Sequence, residues 1–183
     1  MNTKIPNSDL NRLSVDEFKW SDKSPIYIVL DNIRSAQNVG SLFRTLDAFR
    51  CTELILCGIT AKPPHREINK TALGASETVN WKYFENTTDA IEELKNQGIS
   101  AWAVEQTENA VQLDAFSVPE KEAVALVFGN EVKGVSQKVV DICEGSIEVP
   151  QFGSKHSLNI SVCAGIVIWD IFSKNFLVRM AKH

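Results

Sequence analysis

The feature that most constrains the fold of this chain is a series of short apolar runs separated by helical segments. The first run is IYIVL at 26–30, and ELILC at 53–57 follows after one helical segment. Runs that are apolar at every position are typical of strands buried on both faces of a parallel sheet. Between these two runs, apolar residues recur at helical spacing, which predicts a helix from about Gly40 to Phe49.

The alternation of strand-like and helix-like segments continues toward the C-terminal end. Further strands are predicted at 99–104, at 123–128 and in SIEVP, and helices are predicted after Thr87 or Thr88, at Gln137–Ile142 and from near Ser157. Residues 58–80 contain glycines and the pair Pro63–Pro64, so they predict a loop with short helical pieces. Strands that alternate with helices predict an α/β fold with a largely parallel sheet covered by helices.

The length of 183 residues fits one domain with short extensions. Residues 1–24 are polar and of mixed charge, and we expect them to form an N-terminal extension. The domain itself is expected at 25–176, followed by a tail at 177–183. An apolar fraction of 44% and a charged fraction of 23% are ordinary for a soluble globular protein.

Cysteine usage and hydropathy exclude several classes of protein. The four cysteines form no CxxC pair, and none of the three histidines lies at ligand spacing from a cysteine, so we expect free thiols and no metal. The first residues lack the apolar stretch of a signal peptide, and no run approaches the roughly 18 apolar residues of a membrane helix. These features predict a cytoplasmic protein without a membrane segment.

Candidate chemistry lies in the polar residues that follow the predicted strands, because parallel sheets bind ligands beyond their carboxyl ends. Three familiar sites are excluded there. GNEVKGVS has the glycine spacing of a P-loop, but Val135 stands where the phosphate-binding lysine is needed. No GxGxxG follows the first strand, and no GxSxG is present for a hydrolase. For the serines Ser154 and Ser157, capping of the last helix is the alternative to a functional role.

Three of these polar segments resemble, in order and in strand context, the motifs of the SpoU–TrmH family, the RNA ribose 2′-O-methyltransferases of the SPOUT superfamily. They read N-x-G-x-x-x-R from Asn38 to Arg44, G-N-E-x-x-G from Gly129 to Gly134, and S-L-N-x-S from Ser157 to Ser161. The resemblance extends over about residues 25–172 and includes ALGASETVNW at 72–81.

The resemblance implies a deep C-terminal trefoil knot, which pattern alone would not predict since knots are normally excluded. It also implies that the chain binds S-adenosylmethionine in a cleft shaped by the knot and forms a homodimer. The final helix is consistent with a dimer, because its apolar residues cover more than one face and the sheet can bury only one. These residues are Ile166, Ile168, Trp169, Ile171 and Phe172.

Carried over by position, the family's site residues fall into three groups. The cofactor cleft is expected to be lined by Val104, Glu105, Gly129, Val149 and Leu158, although simple core packing of Val149 and Leu158 is equally compatible with the sequence. The catalytic group is expected to comprise Asn38, Arg44, Glu131, Ser157 and Asn159. Candidate RNA phosphate contacts are Arg34, His65, Arg66, Lys133 and Lys155.

Individual roles follow from side-chain chemistry. A guanidinium resists deprotonation, so we expect Arg44 to stabilise the developing alkoxide and contact a phosphate rather than act as a base. Glu131 is expected to pair with Arg44 or to bind backbone N–H groups of the knot loops. Asn159 is a mediocre residue for the first turn of a helix, which favours a functional role.

The RNA partner is less constrained. A net charge of −4 requires a local basic patch rather than a general positive field. No separate RNA-recognition domain is evident, which favours tRNA over rRNA. Two alternatives remain open: methylation of a base by another SPOUT activity, and an RNA-binding module that retains the fold without activity.

Overall fold

The computed structural model describes residues 1–10, 12–119 and 122–177. Its core is a sheet whose strands are β1 (Ser24–Asp31), β2 (Cys51–Cys57), β3 (Trp81–Phe84), β4 (Ser100–Val104), β5 (Val111–Gln112), β6 (Val124–Gly129) and β7 (Gly145–Glu148). The helices are α1 (Val15–Trp20), α2 (Ala36–Ala48), α3 (Arg66–Ala72), α4 (Ala75–Thr78), α5 (Thr87–Asn96), α6 (Gln137–Val140) and α7 (Ile160–Asn175), with a 3₁₀ turn at Asn7–Asp9.

The strands are ordered β3-β2-β1-β6-β4-β7-β5, and every pair is parallel. The register sets Asp31, the last residue of β1, opposite both Cys57 and Gly129. Three neighbouring strands therefore end together at one edge of the sheet.

Helices cover the sheet on both faces, as the continuous apolar runs predict. On one face, Ile28 and Leu30 of β1 lie in the same apolar cluster as residues of α2 and α7. On the other face, Val29 of β1 lies in a cluster with residues of α5 and α6. Alternate residues of β1 thus pack into the two apolar clusters on opposite faces of the sheet.

The structure departs from the predicted elements at their ends and edges. Helix α2 begins at Ala36, earlier than predicted, because the Ser35 side chain accepts a hydrogen bond from the Asn38 N–H and caps it. Strand β3 was not predicted, because exposed Lys82 and Tyr83 interrupt its apolar pattern.

The two extensions differ in what the structure shows of them. The N-terminal extension contains α1, whose Ser14 and Glu17 form a capping box, and it places Phe18 in the main core. The predicted tail, apart from Leu177, lies outside the described residues. Within the described ranges, no helix combines the length and the hydropathy needed to cross a membrane.

Candidate active site at the carboxyl edge of the sheet

A cavity of about 560 Å³ opens beyond the carboxyl ends of β4, β6 and β7. Its walls come from three segments: 104–106 at the end of β4, 128–134 at the end of β6, and part of the residues from 147 to 163, between the end of β7 and the first turn of α7. Its size is typical of pockets that bind cofactors. The walls contain both charged residues, such as Glu105 and Lys133, and apolar residues, such as Val149 and Leu158.

The wall after β6 is a tight turn organised by Asn130. The backbones of Asn130 and Gly134 exchange two hydrogen bonds of 3.0 and 2.8 Å. The Asn130 side chain accepts from the N–H groups of Val132 and Lys133, and its Nδ2 donates to the Asn32 carbonyl at 2.7 Å. The turn is thus fixed internally and tied to the loop after β1.

The backbone of this turn folds back so closely against residue 129 that only glycine fits there. A Cβ at Gly129 would lie 2.0 Å from the Gly134 carbonyl carbon and 2.0 Å from the Val135 nitrogen. Only glycine allows this backbone approach. Glu105 holds the same turn from β4, since its Oε2 accepts from the Val135 N–H at 2.8 Å and its Oε1 accepts from the Gln106 N–H at 2.9 Å.

Glu131 connects this turn to the start of α2. Its carboxylate accepts from the N–H groups of Arg34 and Ser35 at 2.9 and 3.0 Å and from Asn38 Nδ2 at 3.2 Å. Partial burial raises the pKa of Glu131, but these hydrogen bonds, with one from its own backbone, outweigh burial and lower it. Glu131 was expected to pair with Arg44 or to bind backbone N–H groups of the knot loops. It binds backbone N–H groups, but those of the loop between β1 and α2, and among the described residues it forms no ion pair with Arg44.

Asn159 connects the start of α7 to the same network. Its Nδ2 donates to Asn38 Oδ1 at 3.3 Å. Its Oδ1 accepts from the N–H groups of Ser161 and Val162 and from the Ser161 hydroxyl. Asn159 is therefore the N-cap of α7, so the predicted placement of Asn159 in the first turn and the alternative of Ser157 as the cap are both wrong.

The three motif segments thus meet through Glu131, Asn38 and Asn159, one side chain from each. This chain of hydrogen bonds lies beside the cavity, because Glu131 and Asn159 also line it. The arrangement joins residues that are 121 positions apart in the sequence.

Arg44 lies apart from this network. It is exposed on α2, and in the described part of the chain it makes neither an ion pair nor a side-chain hydrogen bond. It does not line the cavity. Arg44 follows Asn38 by six residues, which is about 9 Å along the helix axis and roughly 120° around it, so the two side chains leave α2 on different faces.

All five residues predicted for the cofactor cleft line the cavity, as does Ser157 of the predicted catalytic group. Leu158 is exposed, so simple core packing does not account for it, whereas Val149 is half-buried and also packs against the main core. The five candidate phosphate contacts are all exposed, but only Lys133 lines the cavity. His65 has a structural role as well, since its Nδ1 accepts from the Glu67 N–H and caps α3.

Three residues at the site had no predicted role. Asn130 organises the turn, and Asp31 is buried at the end of β1, where it accepts from the Thr87 hydroxyl at 2.6 Å and the Ser136 N–H at 2.9 Å. Their signal in the sequence was a polar residue directly after a buried strand. Cys163, expected to be a free thiol, lines the cavity, and burial raises its pKa to about 11.

Comparison with known proteins agrees with this arrangement. The sequence matches the model of the SpoU rRNA Methylase family over residues 25–169. The 23S rRNA (guanosine-2′-O-)-methyltransferase RlmB of Vibrio vulnificus is 28% identical over 165 residues, which are 90% of this chain and 66% of that protein. The chain therefore spans just under two thirds of the length of this curated relative.

Solved structures match the fold over most of the chain. The A. aeolicus TrmH/SpoU tRNA modifying enzyme superposes with a TM-score of 0.80 at 24% identity, covering 92% of this chain and 84% of that one. An AdoMet-bound rRNA methyltransferase from Sinorhizobium meliloti gives a TM-score of 0.76 at 25% identity, covering 84% and 57%. Its ligand is the cofactor that the sequence predicts.

These matches confirm the predicted fold, a parallel α/β sheet with a C-terminal trefoil knot. The family model extends through the three motifs that meet at the cavity. The chain therefore belongs to the SpoU rRNA Methylase family.

Proposed function

We propose that this chain transfers the methyl group of S-adenosylmethionine to a ribose 2′-hydroxyl of a structured RNA, and that residues 25–176 carry the activity. The observation that carries the proposal is the meeting of Glu131, Asn38 and Asn159 beside a cavity of cofactor size. Arg44, the residue that the ribose chemistry needs, lies on the same helix as Asn38.

The cavity suits S-adenosylmethionine by size and by lining. Half-buried Val149 and exposed Leu158 offer apolar contacts to an adenine ring, and Gly129 leaves the backbone of the turn accessible. Glu105 has a carboxylate at the same wall, next to β4. Bound here, S-adenosylmethionine would supply an electrophilic methyl group to the ribose oxygen.

The protein's own residues would orient the ribose and stabilise charge. The 2′-oxygen would take the methyl group as the methyl–sulfur bond breaks and S-adenosylhomocysteine leaves, with the hydroxyl proton passing to water. We assign Arg44 the role of offsetting the negative charge that develops on the oxygen as its proton leaves. Glu131 is a weak proton acceptor, because its pKa is lowered and three donors already occupy its carboxylate. We therefore assign Glu131 a positioning role, in which it holds the turn and Asn38 in place.

The RNA class is left broad in this proposal. The preference for tRNA that the sequence favoured has no support from the named relatives, since RlmB is named for 23S rRNA and the A. aeolicus enzyme for tRNA. Exposed Arg34, Arg66, Lys133 and Lys155 are the candidate phosphate contacts of either RNA. We also propose a cytoplasmic location for this RNA-modifying activity.

We also propose that the chain works as a homodimer. Helix α7 buries Ile168, Ile171 and Phe172 but leaves Val162, Ile166 and Trp169 at 52, 41 and 49% exposure. These three residues are spaced i, i+4 and i+7, so they form one apolar stripe on the outer face of the helix. A second copy of the chain is the partner that would cover this stripe.

The reaction is tested with the full chain, methyl-labelled S-adenosylmethionine, and unmodified transcripts of 23S rRNA and of tRNAs. Label is expected in at least one class of RNA, and calorimetry is expected to show one cofactor bound per chain. If no cofactor binds at millimolar concentration, the proposal is wrong and the alternative of a non-catalytic RNA-binding module takes its place.

A further inference from the structure

Phe152 is unusual because its side chain is 99% exposed. Transfer of a phenylalanine side chain from water to an apolar environment lowers the free energy, so a fully solvated phenylalanine forgoes this stabilisation. Single exposed apolar residues are common on protein surfaces, so exposure alone decides nothing. The position of Phe152 and the charges around it make the difference.

Phe152 lies in the segment that joins β7 to α7, directly beside the cavity. Its neighbour Gln151 lines the cavity, and so do His156 and Ser157 further along. Among the described residues, the one hydrogen bond made by segment 150–158 is from Gln106 Nε2 to the His156 carbonyl, at 3.3 Å. Phe152 thus directly follows a residue of the cavity wall, and its ring is not packed against the protein.

Charges next to Phe152 favour an anionic partner. Lys155 follows three residues later and is exposed, and Lys133 is exposed on the turn that forms another wall of the same cavity. From Val149 to Ile160 the sequence contains no aspartate or glutamate. In a chain with a net charge of −4, segment 149–160 thus combines an exposed aromatic ring with an ammonium group and no carboxylate, while Glu131 and Glu148 lie elsewhere on the cavity wall.

We infer that Phe152 stacks on a nucleobase of the RNA substrate, next to the nucleotide that enters the site, while Lys133 and Lys155 contact the flanking phosphates. A base with its phosphates offers both a planar π-face and negative charge, which is the complement of this surface. The inference rests on the proposed function. Phe152 would be a residue that selects and orients RNA rather than one that contacts the cofactor.

The test measures steady-state methylation at saturating S-adenosylmethionine, with whichever unmodified transcript the wild-type chain methylates. Phe152→Ala is expected to raise the KM for RNA about tenfold, the size expected for the loss of one base–aromatic stack. kcat and cofactor affinity are expected to stay within about twofold of wild type, because Phe152 does not line the cavity. The melting temperature is expected to be unchanged, because the ring is solvated.

Further variants separate stacking from other roles. Phe152→Trp should retain the wild-type KM, whereas Phe152→Leu, which is apolar but has no π-face, should behave like Phe152→Ala. Trp20→Ala is the matched control, since Trp20 is 91% exposed on α1, near the amino end of β1, and its removal should leave the KM unchanged.

Three results would overturn the inference: an unchanged KM in Phe152→Ala, full activity in Phe152→Leu, or a Phe152→Ala protein that sediments as a monomer where the wild type is a dimer. The last would assign Phe152 to contact with a second copy. Absence of methylation by the wild-type chain would be a different failure, because it would remove the proposed function itself.

Discussion

The guanidinium of Arg44 forms no ion pair and no side-chain hydrogen bond with any residue in the described part of the chain. A guanidinium left unpaired at the surface, on the helix that also presents Asn38, is available to a bound substrate. Its side chain lies on the exposed face of α2, where it costs the fold little. We therefore expect replacement of Arg44 to change the rate of methyl transfer and not the free energy of unfolding.

Arg44→Ala is expected to lower the single-turnover rate about 10²- to 10³-fold, or roughly 3–4 kcal/mol, as the loss of one oxyanion donor does. Cofactor affinity should remain the same, because Arg44 does not line the cavity. Arg44→Lys should recover little, since an ammonium lacks the planar fork. Arg34→Ala is the control and should raise the KM for RNA with little change in rate. Near-wild-type turnover in Arg44→Ala would remove Arg44 from the mechanism.

Glu131→Gln is expected to lower the free energy of unfolding by at most about 1 kcal/mol at neutral pH, because an amide cannot accept all the hydrogen bonds that the carboxylate receives, while solvent weakens those of an exposed group. The folded-state pKa of Glu131 is lowered, so its contribution is present above the unfolded value of about 4.3 and is lost as the pH falls through the folded pKa. Thermal melts of the two proteins should therefore converge in acid.

Glu67→Gln is the matched control for this measurement. The Glu67 carboxylate accepts one side-chain hydrogen bond, from Gln37 Nε2, whereas that of Glu131 accepts three hydrogen bonds, so replacement of Glu67 should change the melting temperature less. A difference between wild type and Glu131→Gln that persists in acid would contradict the account of Glu131, since the carboxylate would then not be its source.

Residue roles were predictable only in part. The motif positions identified Glu131 and Asn159, but the partner of each depends on where three distant segments meet. Asn159 looked like a poor residue inside a helix because the helix start was placed near Ser157, whereas it caps the helix. Asn130 and Asp31 act by binding backbone groups, and such roles leave no periodic signal in the sequence.

At the scale of elements, the turn between β6 and α6 connects the cofactor cavity to the rest of the site. Asn130 holds it from within, Glu105 binds it from the residue after β4, and its own Glu131 ties it to the backbone before α2. Its return past Gly129 leaves no room for a side chain. Stability of the turn and binding at the cavity are therefore expected to change together.

Gly129→Ala is expected to destabilise the protein by about 1–3 kcal/mol and to weaken binding of S-adenosylmethionine, because the new methyl group displaces the backbone at Gly134 and Val135. Thermal denaturation and calorimetry measure the two effects. Gly153→Ala is the control, since a Cβ there meets no atom within 4 Å. Wild-type stability in Gly129→Ala would show that the turn does not approach Gly129 as described.

The elements themselves followed from the sequence where the burial pattern was simple. Strands β1, β2, β4 and β6 are apolar on both faces, so continuous runs revealed them. Strand β3 lies at the edge of the sheet and exposes polar side chains, and β5 has two residues, so neither gave such a run. Edge strands need fewer apolar residues because one side has no neighbour to pack against.

At the scale of the whole molecule, the alternation of strands and helices predicted the parallel sheet, but neither the order of the strands nor the knot. Those depend on how distant segments pack, and the knot was predicted from family resemblance alone. The structure also divides the apolar residues of α7 into a buried set and an exposed stripe. That division could not be read from a helix whose apolar residues cover several faces.

The exposed stripe leads to a prediction about assembly. Sedimentation at micromolar concentration is expected to show a homodimer, and Ile166→Asp is expected to dissociate it, since the charge would be buried without a partner. Leu73→Asp is the control: Leu73 is 68% exposed on another surface and should not affect assembly. A strictly monomeric wild type would contradict the proposed dimer.

The central claim is that the methyl group goes to a ribose 2′-hydroxyl of RNA, and the most direct measurement is the position of that group in the product. RNA methylated by the full chain is digested with nucleases to nucleosides and analysed by mass spectrometry. We predict a nucleoside whose added mass stays with the ribose fragment and whose base is unmodified. A methyl group on the base would contradict the claim and support the alternative of a base methyltransferase with the same fold.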